Sequence, residues 1–129
     1  MKIGIDIDGT INASEQSVLF FKHFTRLFVS GGHEIVIITN RPPGTEKSIA
    51  QELGDMGIQY SRIVIAEKKA DYIKANGVDI FFENEDEQFL ELDDSVTVFK
   101  IRESFNFDFE KHKWVGSRDT TDMIDSEND

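Results

Sequence analysis

Short apolar runs alternate with longer amphipathic stretches along this chain. The first run, Lys2 to Ile7, predicts a strand. Ser14 then stands where a helix cap belongs, and Val18, Leu19, Phe20, Phe21, Phe24, Leu27 and Phe28 recur at helical spacing up to Gly31-Gly32. Glu34 to Thr39, with Ile35-Val36-Ile37-Ile38 inside it, is the clearest buried strand. Asn40 to Gly44 carries two prolines and a glycine and predicts a loop, after which Thr45 starts a second helix that ends near Gly54 to Gly57. Arg62 to Ala66 and Val78 to Phe82 predict two further strands, with a short helix from Lys69 to Asn76 between them. Glu83 to Glu87 is an acidic loop, and Val96 to Ile101 a last strand.

Strands that alternate with helices imply an α/β fold: a three-layer, Rossmann-like, doubly wound parallel sheet of about five strands, with no large cap domain. At 129 residues the chain suits one domain, taken as residues 1–116, followed by a polar acidic tail at 117–129. Eleven Phe against one Trp and two Tyr predict a core filled by aromatic rings rather than by aliphatic mass. Cysteine is absent, which excludes disulfides and thiolate metal sites. A net charge of −11 argues against a broad DNA or RNA footprint, so a nucleic-acid partner is not expected. Small phosphorylated substrates stay open, because a bound divalent cation reverses the local field. With no run approaching a membrane span and an amino terminus that enters a strand, the expectation is a soluble, cytoplasmic protein. Oligomeric state is left open.

The chemistry gathers at the strand ends, where open α/β sheets bind ligands. The first strand runs into Asp6-Ile7-Asp8-Gly9-Thr10, two carboxylates spaced two apart. Alternation along a strand sends both to one side, unless the strand is already ending. Such a pair binds a hard cation, or divides into nucleophile and acid/base. Thr39-Asn40 supplies a hydroxyl and amides suited to a phosphate oxygen. Lys68-Lys69 opens the helix before the fourth strand, whose end carries Glu83 with Asn84, Asp86 and Glu87 close behind.

This ordered set resembles the haloacid dehalogenase-like (HAD-like) phosphohydrolase superfamily over roughly residues 1–106. Asp6 to Thr10 looks like its first motif, Thr39 like the second, Lys69 like the third and Glu83 like the acidic fourth. The resemblance implies a hydrolase: a magnesium-dependent phosphatase in which Asp6 is the nucleophile and Asp8 the general acid/base. It also implies metal binding by Asp6, Asp8 and Glu83, and phosphate binding by Thr39, Asn40 and Lys69. An acid at Asp8 fits phosphate-ester hydrolysis better than dehalogenation. Thr39-Asn40-Arg41-Pro42 resembles a motif of small nucleotidase-like members, with Arg41 at the rim as a substrate ligand. Val98-Phe99, Ser104-Phe105-Asn106 and Trp114 are similar to the end of the 5'(3')-deoxyribonucleotidase family, which makes a nucleotide the expected partner.

Two departures stand out. The fourth motif usually presents aspartate, and here it reads Glu83-Asn84. No cap is inserted after the first strand or between the second and third, so the site is expected to be open, closed by a large substrate or a partner subunit. The alternative function is a catalytically weak member acting as a metal- or phosphate-binding interaction module. Phe105, Phe107 and Phe109 alternate and predict a packing strip rather than a base-stacking platform.

Overall fold

The computed structural model describes residues 1–116. The tail expected at 117–129 lies outside the described residues. Five strands form one parallel sheet in the order β3-β2-β1-β4-β5: β1 (Lys2–Ile5), β2 (Glu34–Thr39), β3 (Arg62–Ile65), β4 (Ile80–Glu83) and β5 (Thr97–Lys100). Three helices link the first four strands: α1 (Glu15–Ser30), α2 (Glu46–Asp55) and α3 (Lys69–Asn76). No helix among the described residues is long and apolar enough to cross a membrane. A small antiparallel pair, β6 (Phe107–Asp108) and β7 (Lys113–Trp114), follows the sheet; the sequence pattern did not predict it.

The two faces of the sheet are covered separately. On one, Ile3, Ile5, Ile35 and Ile37 meet Phe21 of α1 and Ile49 and Leu53 of α2. On the other, Val36, Ile38 and Phe81 meet Ile73 of α3, with Phe89, Leu92 and Val96 from the connection into β5. The expected doubly wound, three-layer architecture is therefore present, with no large cap among the described residues. Gly4 sits at the centre: a Cβ there would come within 2.8 Å of Ile38 Cδ1, so the bare backbone lets neighbouring side chains close over the middle strand.

The expected aromatic core is corrected. Among the described phenylalanines only Phe21, Phe81 and Phe82 are buried, whereas isoleucines fill the sheet interior. Parallel strands covered on both faces favour β-branched aliphatic side chains, which pack against a pleated surface. Other phenylalanines instead lie at the core's margin, as Phe24 and Phe28 of α1 do, or around β6 and β7, where Phe107 contacts Phe109 and Trp114 edge to face. Arg102 lies over Phe107 and Phe109, so the alternating strip does pack, though Phe105 is left 87% exposed.

Truncating the aliphatic centre and the exposed ring should therefore give opposite results. Ile37→Ala is expected to cost about 2–5 kcal/mol. Phe105→Ala should stay within about 0.5 kcal/mol of the parent in urea unfolding.

Candidate active site

The sheet order reverses at β1, which lies between β2 and β4. The crevice at the carboxyl ends of such neighbours is where open α/β sheets place ligands. Regular strand ends at Ile5 rather than Ile7, although the Asp6 N–H still donates to Phe82 O at 3.0 Å. The chain then leaves the sheet in a wide turn over Ile7–Ile11, made possible by Gly9 at φ 80°. The two aspartates consequently part company. Asp6 faces the buried end of β4, while the Asp8 side chain is 58% exposed.

At Asp6 the interior holds three ionisable groups. Lys69 Nζ donates to Asp6 Oδ1 at 2.6 Å and to Glu83 Oε1 at 2.8 Å, and all three side chains are buried. Thr10 Oγ1 donates to the other Asp6 oxygen at 2.9 Å. Burial raises the Asp6 carboxyl above its ordinary value, against the pull of Lys69. Burial first, then the Asp6 charge, lifts Glu83 to about 7. Burial alone would lower Lys69, but the two carboxylates outweigh it and hold its ammonium above the usual range. Of the lysine pair opening α3, Lys69 enters this cluster and Lys68 stays exposed.

Asp8 belongs to a second network. Arg41 forks onto it, Nε to Oδ2 at 2.9 Å and Nη2 to Oδ1 at 2.8 Å, and is held from behind by Glu52 of α2 at 3.0 and 3.1 Å. The Arg41 hydrogen bond holds the Asp8 carboxyl below its ordinary value. Thr39, buried at the end of β2, accepts the Arg41 N–H through Oγ1 at 3.1 Å. Thus Arg41, expected as a rim ligand for substrate, is engaged by two carboxylates, and Asn40 is exposed beside it. Glu52 had no signal in the sequence, because it is one polar residue among many on an amphipathic helix.

Glu83 and Asn84 divide the fourth strand end. The Glu83 oxygens accept from Lys69 and from the N–H groups of Asn84 and Glu85, at 3.1 Å each. Asn84 turns toward the first motif instead: a Cβ on Gly9 would collide with its amide, and its Oδ1 is 3.5 Å from Thr10 Oγ1. Its Nδ2 donates to the buried Glu103 at 3.1 Å, while Asn106 Nδ2 donates to the main-chain oxygens of Asn84 and Ile101. Glu103 and Asn106 are the other residues that sequence reasoning missed as site supports, although Asn106 lies in a segment singled out there.

Among the described residues no three His, Asp or Glu side chains converge as a ready metal cage. The donor set nevertheless fits a hard cation chemically. It offers oxygen only, and one ammonium faces two buried carboxylates. Asp6 and Glu83, both expected as ligands, accept hydrogen bonds at each of their oxygens, and both Asp6 oxygens and Glu83 Oε1 keep a further lone pair for a cation, with the Asp8 main chain beside them. Beside them opens a cavity of about 710 Å³ lined by Asp8, Asn12, Glu85, Lys100, Phe105 and Asn106, among others.

No family model and no curated protein matches the chain. Among solved structures, the chain is similar to one from the Pnkp1/Rnl/Hen1 complex, with a TM-score of 0.61 and 10% identity over 80% of this chain and 46% of that one. The chain thus spans about half the length of that neighbour. A universal stress protein in complex with cAMP aligns with a TM-score of 0.48 and 12% identity, over 81% of this chain and 98% of that one. At such identities the likeness to the first concerns the fold alone.

The raised carboxyls have a measurable consequence. Folded Glu83 keeps its proton up to about 7, whereas the unfolded chain releases it in the ordinary carboxylate range. Stability in chelator should therefore fall as pH rises from about 5 to about 7, and Glu83→Gln should flatten that slope. Lys69→Met should cost about 3–5 kcal/mol near neutrality, where two buried carboxylates lose their counterion. Part of that loss should be recovered at about pH 5, where Glu83 holds its proton, as read from urea midpoints.

Proposed function

We propose that this chain is a magnesium-dependent phosphatase that hydrolyses a phosphomonoester through an aspartyl-phosphate intermediate. The observation that carries the reading is the Asp6 carboxylate at the end of the central strand. It is desolvated and held at one oxygen by Lys69 and at the other by Thr10. A carboxylate so fixed is pre-oriented as a nucleophile.

In the proposed reaction an Asp6 oxygen attacks phosphorus and the ester P–O bond breaks. Protonated Asp8 gives its proton to the departing alcohol oxygen. Water then attacks the aspartyl phosphate, its proton passes to Asp8, and the Asp6–phosphorus bond breaks to release inorganic phosphate. Lys69 uses two N–H groups on carboxylates in the free protein and has a third for a phosphoryl oxygen. Thr39 and Asn40 end the adjacent strand, where a hydroxyl and main-chain amides suit the same anion. The Arg41 fork must open before Asp8 can carry a proton, because the guanidinium stabilises its ionised form. Bound magnesium, held by Asp6, the Asp8 main chain and Glu83, would supply positive charge against the phosphoryl oxygens.

A nucleotide is the proposed substrate class. The cavity beside Asp8 is within the size range of small-molecule sites, and the exposed Phe105 ring on its lining offers a face to a base. The neutral Asn84 and the paired Asp8 favour one second reading, phosphate binding without turnover.

Phosphate release from a phosphomonoester panel that includes nucleoside monophosphates separates the two. The parent protein with magnesium should turn over at least one ester, and chelator should stop it. Asp6→Asn should lower the rate by about a thousandfold or more. Equal background rates in all arms would overturn the enzyme reading. Saturable binding of a phosphate analogue without turnover would favour the binding module.

A further inference from the structure

Helix α1 is apolar on two sides. Phe21 and Thr25 face the sheet and are buried. On the opposite side Leu19, Phe20 and Leu27 are 55%, 53% and 68% exposed, and with Gln16, His23 and Phe24 they line an open apolar groove of about 500 Å³. Among the described residues nothing covers it. Isolated exposed leucines need no explanation, but a continuous strip over about three turns marks an interaction surface.

The spacing of this strip identifies its occupant. Gln16, Phe20, His23 and Leu27 follow one another at intervals of four, three and four, the seam of a coiled coil rather than the broader stripe of a core-facing helix. The strip is also self-complementary. A two-fold axis between Phe21 and Lys22, perpendicular to the helix, sets Gln16 level with the partner's Leu27 and Phe20 level with the partner's His23. Leu19 comes level with the partner's Phe24 in the same arrangement. Each seam position therefore meets another in an antiparallel pair, as an isologous interface requires, with Leu19 and Phe24 on its two flanks.

Charge selects the same orientation. Glu15 and Arg26 are exposed on one flank of the strip, and neither has an ion-pair partner in the chain among the described residues. In the antiparallel pair Glu15 lies about 3 Å along the axis from the level of the partner's Arg26, within reach of its long side chain. The contact occurs twice by symmetry. A parallel pair would set Glu15 against Glu15 and Arg26 against Arg26. We infer that this face of α1 is the interface of a homodimer in which two α1 helices pack antiparallel. A contact of about three helical turns is smaller than a standard interface, so the dimer is weak.

The absence of cysteine makes the orientation testable by cross-linking. Gln16→Cys and Leu27→Cys proteins, oxidised separately, should stay uncross-linked, because like positions lie about 16 Å apart along the axis. Mixed together, they should form the disulfide-linked heterodimer. Sedimentation equilibrium of the parent should show concentration-dependent dimerisation. Leu27→Glu, at an exposed position that leaves the core intact, should weaken it at least about tenfold. Glu15→Arg or Arg26→Glu should weaken it singly and restore it together. A monomer at all concentrations, a dimer indifferent to Leu27→Glu, or self-cross-linking of each single variant would overturn the inference. Retention of the groove by another protein, with no self-association, would overturn it equally.

Discussion

One buried cation organises this molecule. Lys69 lies between the ends of β1 and β4 and bonds a carboxylate from each, Asp6 at 2.6 Å and Glu83 at 2.8 Å. Without it the two buried acids would face each other with no counterion, and ionising both would be costly. Its own charge is tolerable there only because both acids are present. The three residues come from the first strand, the third helix and the fourth strand, so their mutual dependence pins those elements together. The constraint extends outward: Glu83 also accepts two main-chain N–H groups, which shapes the loop that brings Asn84 over Gly9.

The contrast between the two aspartates follows from that constraint. Asp6 is still within hydrogen-bonding reach of β4, so it is drawn into the interior charge cluster. Two residues later the turn has carried the chain out, and Asp8 meets Arg41, itself braced by Glu52. One carboxyl is pushed up by burial, and the other is pulled down by a guanidinium. Environments that separate the titration of neighbouring acids are the usual means by which one site assigns different tasks to chemically similar groups. The Arg41 fork also ties the state of Asp8 to α2, a helix that otherwise only covers the sheet.

The distribution of apolar residues reflects a division of labour between strands and helices. Isoleucine and valine fill the space between layers, because both faces of a parallel sheet are covered. Phenylalanine is used at the margins, in α1 and around the small terminal hairpin. An abundance of aromatic residues therefore says little about which of them are interior. The same α1 that buries Phe21 presents Phe20 outward, since adjacent residues on a helix point about 100° apart.

Much of the architecture was legible in the residues themselves. Alternating apolar runs and capped amphipathic segments located each strand of the main sheet and each helix, because local periodicity reports which faces must be covered. The Asp6-x-Asp8-Gly-Thr order, Thr39, Lys69 and Glu83 marked one edge of the sheet, because strand ends fall there in any doubly wound fold. Only the tertiary structure decided which side chain faces which. It chose Lys69 over Lys68, turned Glu83 toward the lysine and Asn84 toward Gly9, and bound Arg41 to Asp8 rather than leaving it free. It also recruited Glu52 and Glu103, which carry no local signature, and gave Asn106 a supporting role that its motif did not indicate. Apolar periodicity, caps and turn residues are set by neighbours in sequence, whereas the pairing of charges depends on distances between segments that meet only once the sheet is built.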